Sequence, residues 1–200
     1  MGTVFNKSIM DSTTESRSPI KLQAWPSPPV AGRVGIVSFN MLAPCYRRLS
    51  IRNDTGRRIR ESHALKAWEN RASQALAFLE KQVFRTENSI IALQEFWLEP
   101  TYRERFDSTF SAAGYTVHTL QRKGGKADGL ALLVKDEEFA LRARHEIQLA
   151  EDSDRIALIL WLTQKSSGQH LVVANTHLSF PHSEKDSYLQ LRQVCAELND

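Results

Sequence analysis

The sequence predicts a mixed α/β protein, and three observations carry that reading. Apolar runs of strand length recur along the chain, helical three- and four-residue spacing separates the early ones, and the later runs follow one another closely. A strand–helix–strand–helix order followed by consecutive strands implies mixed sheets rather than a regular βαβ array. With 200 residues and an apolar share of 42%, the chain can bury a real core in one domain.

Residues 1–32 are rich in Ser, Thr and Pro and end in Pro26-Ser-Pro-Pro29. Such a segment buries too little apolar surface to offset its ordering entropy, so it reads as a disordered leader, with the domain at 33–200. A strand is expected at 34–39, running into Asn40 and a loop with Pro44. Ala64, Leu65, Trp68, Ala72, Leu76, Leu79 and Val83 then form the apolar stripe of a helix. A buried strand follows at 90–94. Pro100 suits the first turn of a helix that Gly114 stops. Strands are expected at 115–119, 129–134, 156–163 and 171–176, the last two joined as a hairpin through Ser166-Ser-Gly168. Tyr188, Leu191, Cys195 and Leu198 fall on one stripe of a final helix.

The net charge of +3 is mildly basic. Its distribution is more informative. Six arginines (47, 48, 52, 57, 58 and 60) face one acid, Asp54, between Arg47 and Arg60. That loop suits attraction of a phosphate chain, or else a solvated insertion. Cys45 and Cys195 form no disulfide framework, metal pair or redox motif. No apolar stretch approaches the roughly 20 residues that span a bilayer. The N-terminus has no charged-then-apolar signal pattern, and Asn6 breaks a myristoylation motif after Met1-Gly2. A cytoplasmic or nuclear location is the expectation.

Three short strings carry the chemistry: Ser38-Phe-Asn40, Leu93-Gln-Glu95 and Asn175-Thr-His-Leu178. Each sets a polar residue (Asn40, Glu95, His177) at the end of an apolar run, and strand ends on one sheet edge can converge on one site. Singly, each has a bland reading: Asn40 bonding its own backbone, Glu95 as a solvated strand-end carboxylate, His177 as a satisfied loop histidine. Together, in order, they point to a metal-dependent phosphodiesterase.

These strings resemble the endonuclease/exonuclease/phosphatase superfamily. Ser38-Phe-Asn-Met-Leu-Ala-Pro44 with Tyr46, Lys126-Ala-Asp-Gly-Leu-Ala131 and Asp154-Arg-Ile-Ala157 look like its nocturnin-like, deadenylase-type branch. Gln94-Glu-Phe-Trp97 and Thr176-His-Leu-Ser-Phe-Pro-His182 look closest to plant and algal members described as calcium-binding. The chain has no EF-hand loop, so calcium binding is not carried over. The resemblance runs from about Val34 to Leu198 and implies a four-layer α/β/β/α sandwich of the deoxyribonuclease-like type, here incomplete.

By the same resemblance the cofactor is Mg²⁺, with Mn²⁺ as an alternative, held by Glu95 and by the carbonyl of Asn40. Mg²⁺ uses few protein oxygens and keeps waters and substrate phosphate, which suits one carboxylate and one amide. His177 takes the phosphate-facing place and, as imidazolium, would donate to a non-bridging oxygen. Asn175, Arg155 and Asp128 are the substrate-binding candidates: Asn175 at the rim, Arg155 for a phosphate or a structural pair, Asp128 for a turn or a base contact.

The family also needs an Asp-x-Asn string and a terminal Asp-His pair. Only 22 residues follow Leu178, and they hold neither. The expectation is therefore an N-terminal portion of a fuller domain, inactive alone, whose parent cleaves phosphodiester bonds in RNA or a nucleotide. Two alternatives stand beside it: a sphingomyelinase-like or phosphoinositide-type enzyme acting on phospholipid, and a catalytically inactive binding module.

Overall fold

The computed structural model describes residues 34–84, 88–149, 154–179 and 184–198. The leader expected at 1–32, and His182, lie outside them. Within them the order is β1 (Gly35–Asn40), β2 (Arg48–Arg52), β3 (Arg58–Arg60), a 3₁₀ turn (Glu61–His63) and α1 (Leu65–Phe78) with a π-helical extension (Leu79–Phe84). β4 (Asn88–Trp97), α2 (Pro100–Ala112), β5 (Tyr115–Gln121), β6 (Asp128–Lys135) and β7 (Phe139–Gln148) follow. The chain continues with β8 (Ile156–Gln164), β9 (His170–Thr176) and α3 (Glu184–Glu197).

One sheet has the order β1-β4-β6-β5, with β1 parallel to β4 and the other pairs antiparallel. The second is an antiparallel β7-β8-β9 meander, and β2 and β3 form a separate ribbon. Strand periodicity sorts the core into layers. Ile91 and Leu93 of β4, with Ala131 and Leu133 of β6, pack under α1 and α2 against Trp68, Leu76, Tyr102, Phe106 and Phe110. The intervening Ile90, Ala92, Leu130 and Leu132 face Ile156, Leu158, Leu160 and Leu162 of β8. The other face of β8, through Ala157 and Ile159, meets Val194 of α3. The layers are therefore α/β/β/α, as the family resemblance implied.

Local chemistry sets the helix boundaries. Glu99 caps α2 by accepting from the Tyr102 N–H at 2.9 Å, with Pro100 in the first turn, and Gly114 leaves the helix at φ 80°. Three expectations need correction. β7 was missed because its middle residues, Leu141-Arg-Ala-Arg-His-Glu146, lie at a solvated sheet edge and show no apolar alternation. The arginine-rich loop is a β-ribbon. The stripe assigned to α3 faces outward: Tyr188, Leu191 and Leu198 are exposed, while Gln190 and Val194 are buried.

Candidate active site

The β4–β6 ladder breaks between Leu93 and Phe96, and Glu95 sits in the break with a left-handed φ of 50°. A bulge of this kind re-aims a side chain, and a non-glycine residue at positive φ persists only where its surroundings impose it. Met41 reinforces the distortion by donating its N–H to Gln94 O at 2.8 Å. Glu95 is thereby turned toward the end of β1, where the Asn40 amide donates to Glu95 Oε1 at 3.0 Å. His177 Nδ1 lies 3.8 Å from the same oxygen, just beyond the end of β9. The three residues singled out in the sequence thus meet at one rim.

Asn40 Oδ1 accepts from the Leu42 N–H at 2.8 Å, closing a local turn around Leu42 at φ 49°. Its carbonyl thus bonds the backbone, and its amide is aimed at the carboxylate. The geometry gives the Asn40 amide the orienting role expected of it, while its carbonyl oxygen, with two lone pairs, keeps one acceptor position beyond the Leu42 bond. Glu95 Oε2 is buried without a hydrogen-bond partner among the described residues. A buried, unpartnered carboxylate oxygen is costly, and a hard cation is the partner it suits. A single carboxylate is enough for the Mg²⁺ mode of binding, and no group of three or more His, Cys, Asp or Glu able to hold an ion occurs among the described residues.

The surroundings of His177 shift its pKa. Burial lowers its pKa, the Arg155 charge lowers it further, and Glu95 opposes both, leaving it below the usual histidine value. Arg155 Nη1 donates to the His177 carbonyl at 3.2 Å and Nε lies 3.7 Å from Asp154, so this cation flanks the rim.

Two candidates lie beneath the site rather than in it. Asn175 is 2% exposed and spans the two sheets. Its amide donates to Leu93 O at 2.9 Å and Ala131 O at 3.0 Å, the carbonyls at the opened ladder, and its Oδ1 accepts from Gln94 Nε2 at 2.8 Å. With both donors used, it locks the bulge instead of touching substrate. Asp128 is fully buried at the start of β6, not in a turn. Its carboxylate accepts from the Tyr46 hydroxyl at 2.5 Å and pairs with Arg122 at 3.3 Å. The following Gly129 is required by close approach, since a Cβ there would stand 2.0 Å from Leu120 O.

Arg122 was not singled out in the sequence. It bridges Asp128 to Asp154 at 2.5 Å and stacks 5.9 Å from the Tyr46 ring. Burial alone would raise the Asp154 pKa, but the hydrogen bond and charge of Arg122 hold it below the usual carboxylate value. Desolvation first, then the bond to Asp128, push the Tyr46 hydroxyl well above its ordinary range. Glu61 was missed as well. Fully buried, it pairs with Arg47 and Arg71, each at 2.6 Å, and Arg71 donates to Met41 O and Leu42 O at 2.8 and 2.7 Å. This clamp fixes the loop that carries Asn40. Arg122 and Glu61 sit in unremarkable charged stretches, so only the spatial pairing reveals them.

Two facing sheets between helical layers, with a carboxylate, an amide and an imidazole meeting at one rim, define the deoxyribonuclease-like class of α/β/β/α sandwiches. The comparisons agree. An uncharacterised calcium-binding protein of Arabidopsis thaliana is 29% identical over 175 residues, matching 82% of this chain and 35% of its own length. Angel homolog 2 of Danio rerio is 30% identical over 142 residues, matching 66% of this chain and 24% of its own. The CCR4-Not complex 3′-5′-exoribonuclease subunit Ccr4 of Candida albicans is 24% identical over 178 residues, matching 76% and 21%.

Among solved structures, ANGEL2, a 2′,3′-cyclic phosphatase in complex with adenosine-2′,3′-vanadate, matches at a TM-score of 0.66 and 22% identity. The match covers 82% of this chain and 47% of that one. The human Nocturnin catalytic domain matches at 0.62 and 19% identity, covering 82% and 58%. No family model matches the chain. These relatives and structural neighbours are members of the endonuclease/exonuclease/phosphatase superfamily, which this chain resembles in sequence and whose fold it shares. The chain spans about a third or less of the curated relatives' length and about half of the solved chains. No described helix is long and apolar enough to cross a membrane.

Proposed function

We propose that this chain supplies the cation- and phosphate-holding part of a divalent-metal-dependent phosphodiester hydrolase acting on RNA or a nucleotide. The observation that carries the reading is the buried, unpartnered Glu95 Oε2 at a rim shared with Asn40 and His177. Glu95 would hold Mg²⁺, with Mn²⁺ as a substitute, through that oxygen. When bound, the cation neutralises charge on the phosphoryl oxygens and orients the phosphate. Asn40 keeps the carboxylate in one rotamer by donating to Oε1, so the holding group is set before substrate arrives. His177 donates one N–H to a non-bridging phosphate oxygen, where negative charge grows as the bond to the leaving group lengthens. Arg155 adds fixed positive charge beside it. Asn175 and the Tyr46–Asp128–Arg122–Asp154 network touch no substrate and hold the strand ends in place.

Support for a nucleic-acid or nucleotide substrate comes from relatives named as an exoribonuclease and a 2′,3′-cyclic phosphatase. A phospholipid substrate has no comparable support on this chain. The test is hydrolysis of a short single-stranded RNA by the full-length protein in Mg²⁺ and in EDTA, compared with Glu95→Gln and His177→Gln. Turnover should require the cation and fall at least about 100-fold in either variant, as when a transition-state charge stabiliser is lost. Turnover that survives EDTA, or is untouched by Glu95→Gln, overturns the assignment.

A further inference from the structure

The β2–β3 ribbon is built from like charges set opposite one another. Its register pairs Arg48 with Arg60 and Arg52 with Arg58 across the strands. Like charges in directly opposed positions destabilise a ribbon, and a two-stranded ribbon is marginal to begin with. Arg47 is neutralised by Glu61. Arg52 and Arg60 reach only the backbone carbonyls of Gly56 and Cys45. Among the described residues, none of Arg48, Arg52, Arg57, Arg58 and Arg60 pairs with a carboxylate, and Arg48, Arg57 and Arg58 are exposed. The free protein therefore maintains an uncompensated positive surface that a chain of anions would relieve.

The ribbon is also tied to the rim. The Asn40 loop leads into β2, Arg60 bonds Cys45 O, Ser62 N bonds Pro44 O at 3.1 Å, and Glu61 N bonds Arg47 O at 2.8 Å. Its anchoring Glu61 holds Arg71 on the carbonyls of Met41 and Leu42. A five-residue strand extends about 16 Å, longer than one phosphate needs. We propose that the ribbon is an exosite for the phosphodiester backbone of single-stranded nucleic acid, gripping phosphates away from the scissile one. This deepens the proposed function and rests on it for the direction in which the strand runs. Guanidinium forks suit this task because they bind phosphate bidentately and without regard to sequence.

The test is fluorescence anisotropy of a labelled 20-nucleotide single-stranded RNA of mixed sequence, titrated with the full chain in EDTA, so that binding is read without turnover. The wild type is compared with Arg48→Gln/Arg57→Gln/Arg58→Gln from 50 to 200 mM salt, with circular dichroism confirming that both fold. Each lost phosphate contact removes about 0.7 from the log–log salt slope for a single strand, so the triple variant should lose about 2. Equivalently, the salt increase should weaken the wild type about 20-fold more than the variant. Hydrolysis of bis(p-nitrophenyl) phosphate by the full-length protein, which has no chain to grip, should be equal in both. An unchanged salt slope overturns the exosite even if hydrolysis is intact. A lost slope without any hydrolysis upholds the exosite and sinks the proposed function instead. Arginine-dependent binding to vesicles of anionic phospholipid with none to RNA also overturns it.

Discussion

Asn175 provides a demanding test, because its effect should be on stability although it lies beneath the site. Asn175→Ala removes two donated bonds, to Leu93 O and Ala131 O, and one accepted from Gln94. Leu93 and Ala131 are the last register pair before the β4–β6 ladder breaks, so the amide braces the edge of the break. A buried polar group left unpaired costs about 1–3 kcal/mol. Two such carbonyls, with some relaxation or water entry, give an expected loss of about 3 kcal/mol. Urea unfolding followed by circular dichroism reads this directly: at an m-value of about 3 kcal/mol/M the midpoint falls by roughly 1 M. Asn175→Asp should cost more, because it sets a carboxylate against two carbonyl oxygens. A loss below about 1 kcal/mol for the alanine variant, or an aspartate variant as stable as wild type, would refute the view that this amide locks the bulge.

Two further predictions concern the buried Glu61 and the half-buried His118. Glu61→Ala strands Arg71 against the Met41 and Leu42 carbonyls without its counter-charge and should destabilise the fold by about 3 kcal/mol, as for a broken buried pair. Thermal unfolding checks it, and a change under 1 kcal/mol contradicts the clamp. The His118 pKa is held below the ordinary histidine value, first by burial and then by the Arg144 charge. Its folded pKa lies beneath the unfolded one, so as pH falls below about 6.5 the unfolded chain binds more protons and stability declines. Urea titrations at pH 7.5 and 5.5 should show a smaller loss for His118→Gln than for wild type; an equal loss would show that this histidine contributes nothing to the decline.

What the sequence made legible was whatever repeats with a fixed period. Ile90 to Leu93 and Ile156 to Leu162 announce strands buried on both faces, and Phe106 and Phe110 announce the buried side of α2. The convergence of Asn40, Glu95 and His177 was legible too, since each ends an apolar run. Features that depend on distant pairing were not. The bulge at Glu95 needs Asn175, 80 residues on, and the Tyr46–Asp128 bond closes 82 residues of chain. β7 and the arginine ribbon escaped because their middle residues are charged and solvated, leaving no alternation to read. The stripe on α3 identified the helix but not its buried face, since helical spacing does not choose which face packs, and here Gln190 and Val194 turn inward.

Whether Glu95 holds a cation is read by thermal unfolding of the full chain in 10 mM Mg²⁺ against EDTA. If 10 mM is about ten times the dissociation constant, binding stabilises the fold by about 1.4 kcal/mol. That corresponds to a rise in melting temperature of roughly 4 °C for a chain of this size. The wild type should show that rise and Glu95→Gln should not, while keeping a melting temperature in EDTA at or above that of the wild type. The same Mg²⁺ shift in both proteins would contradict the claim.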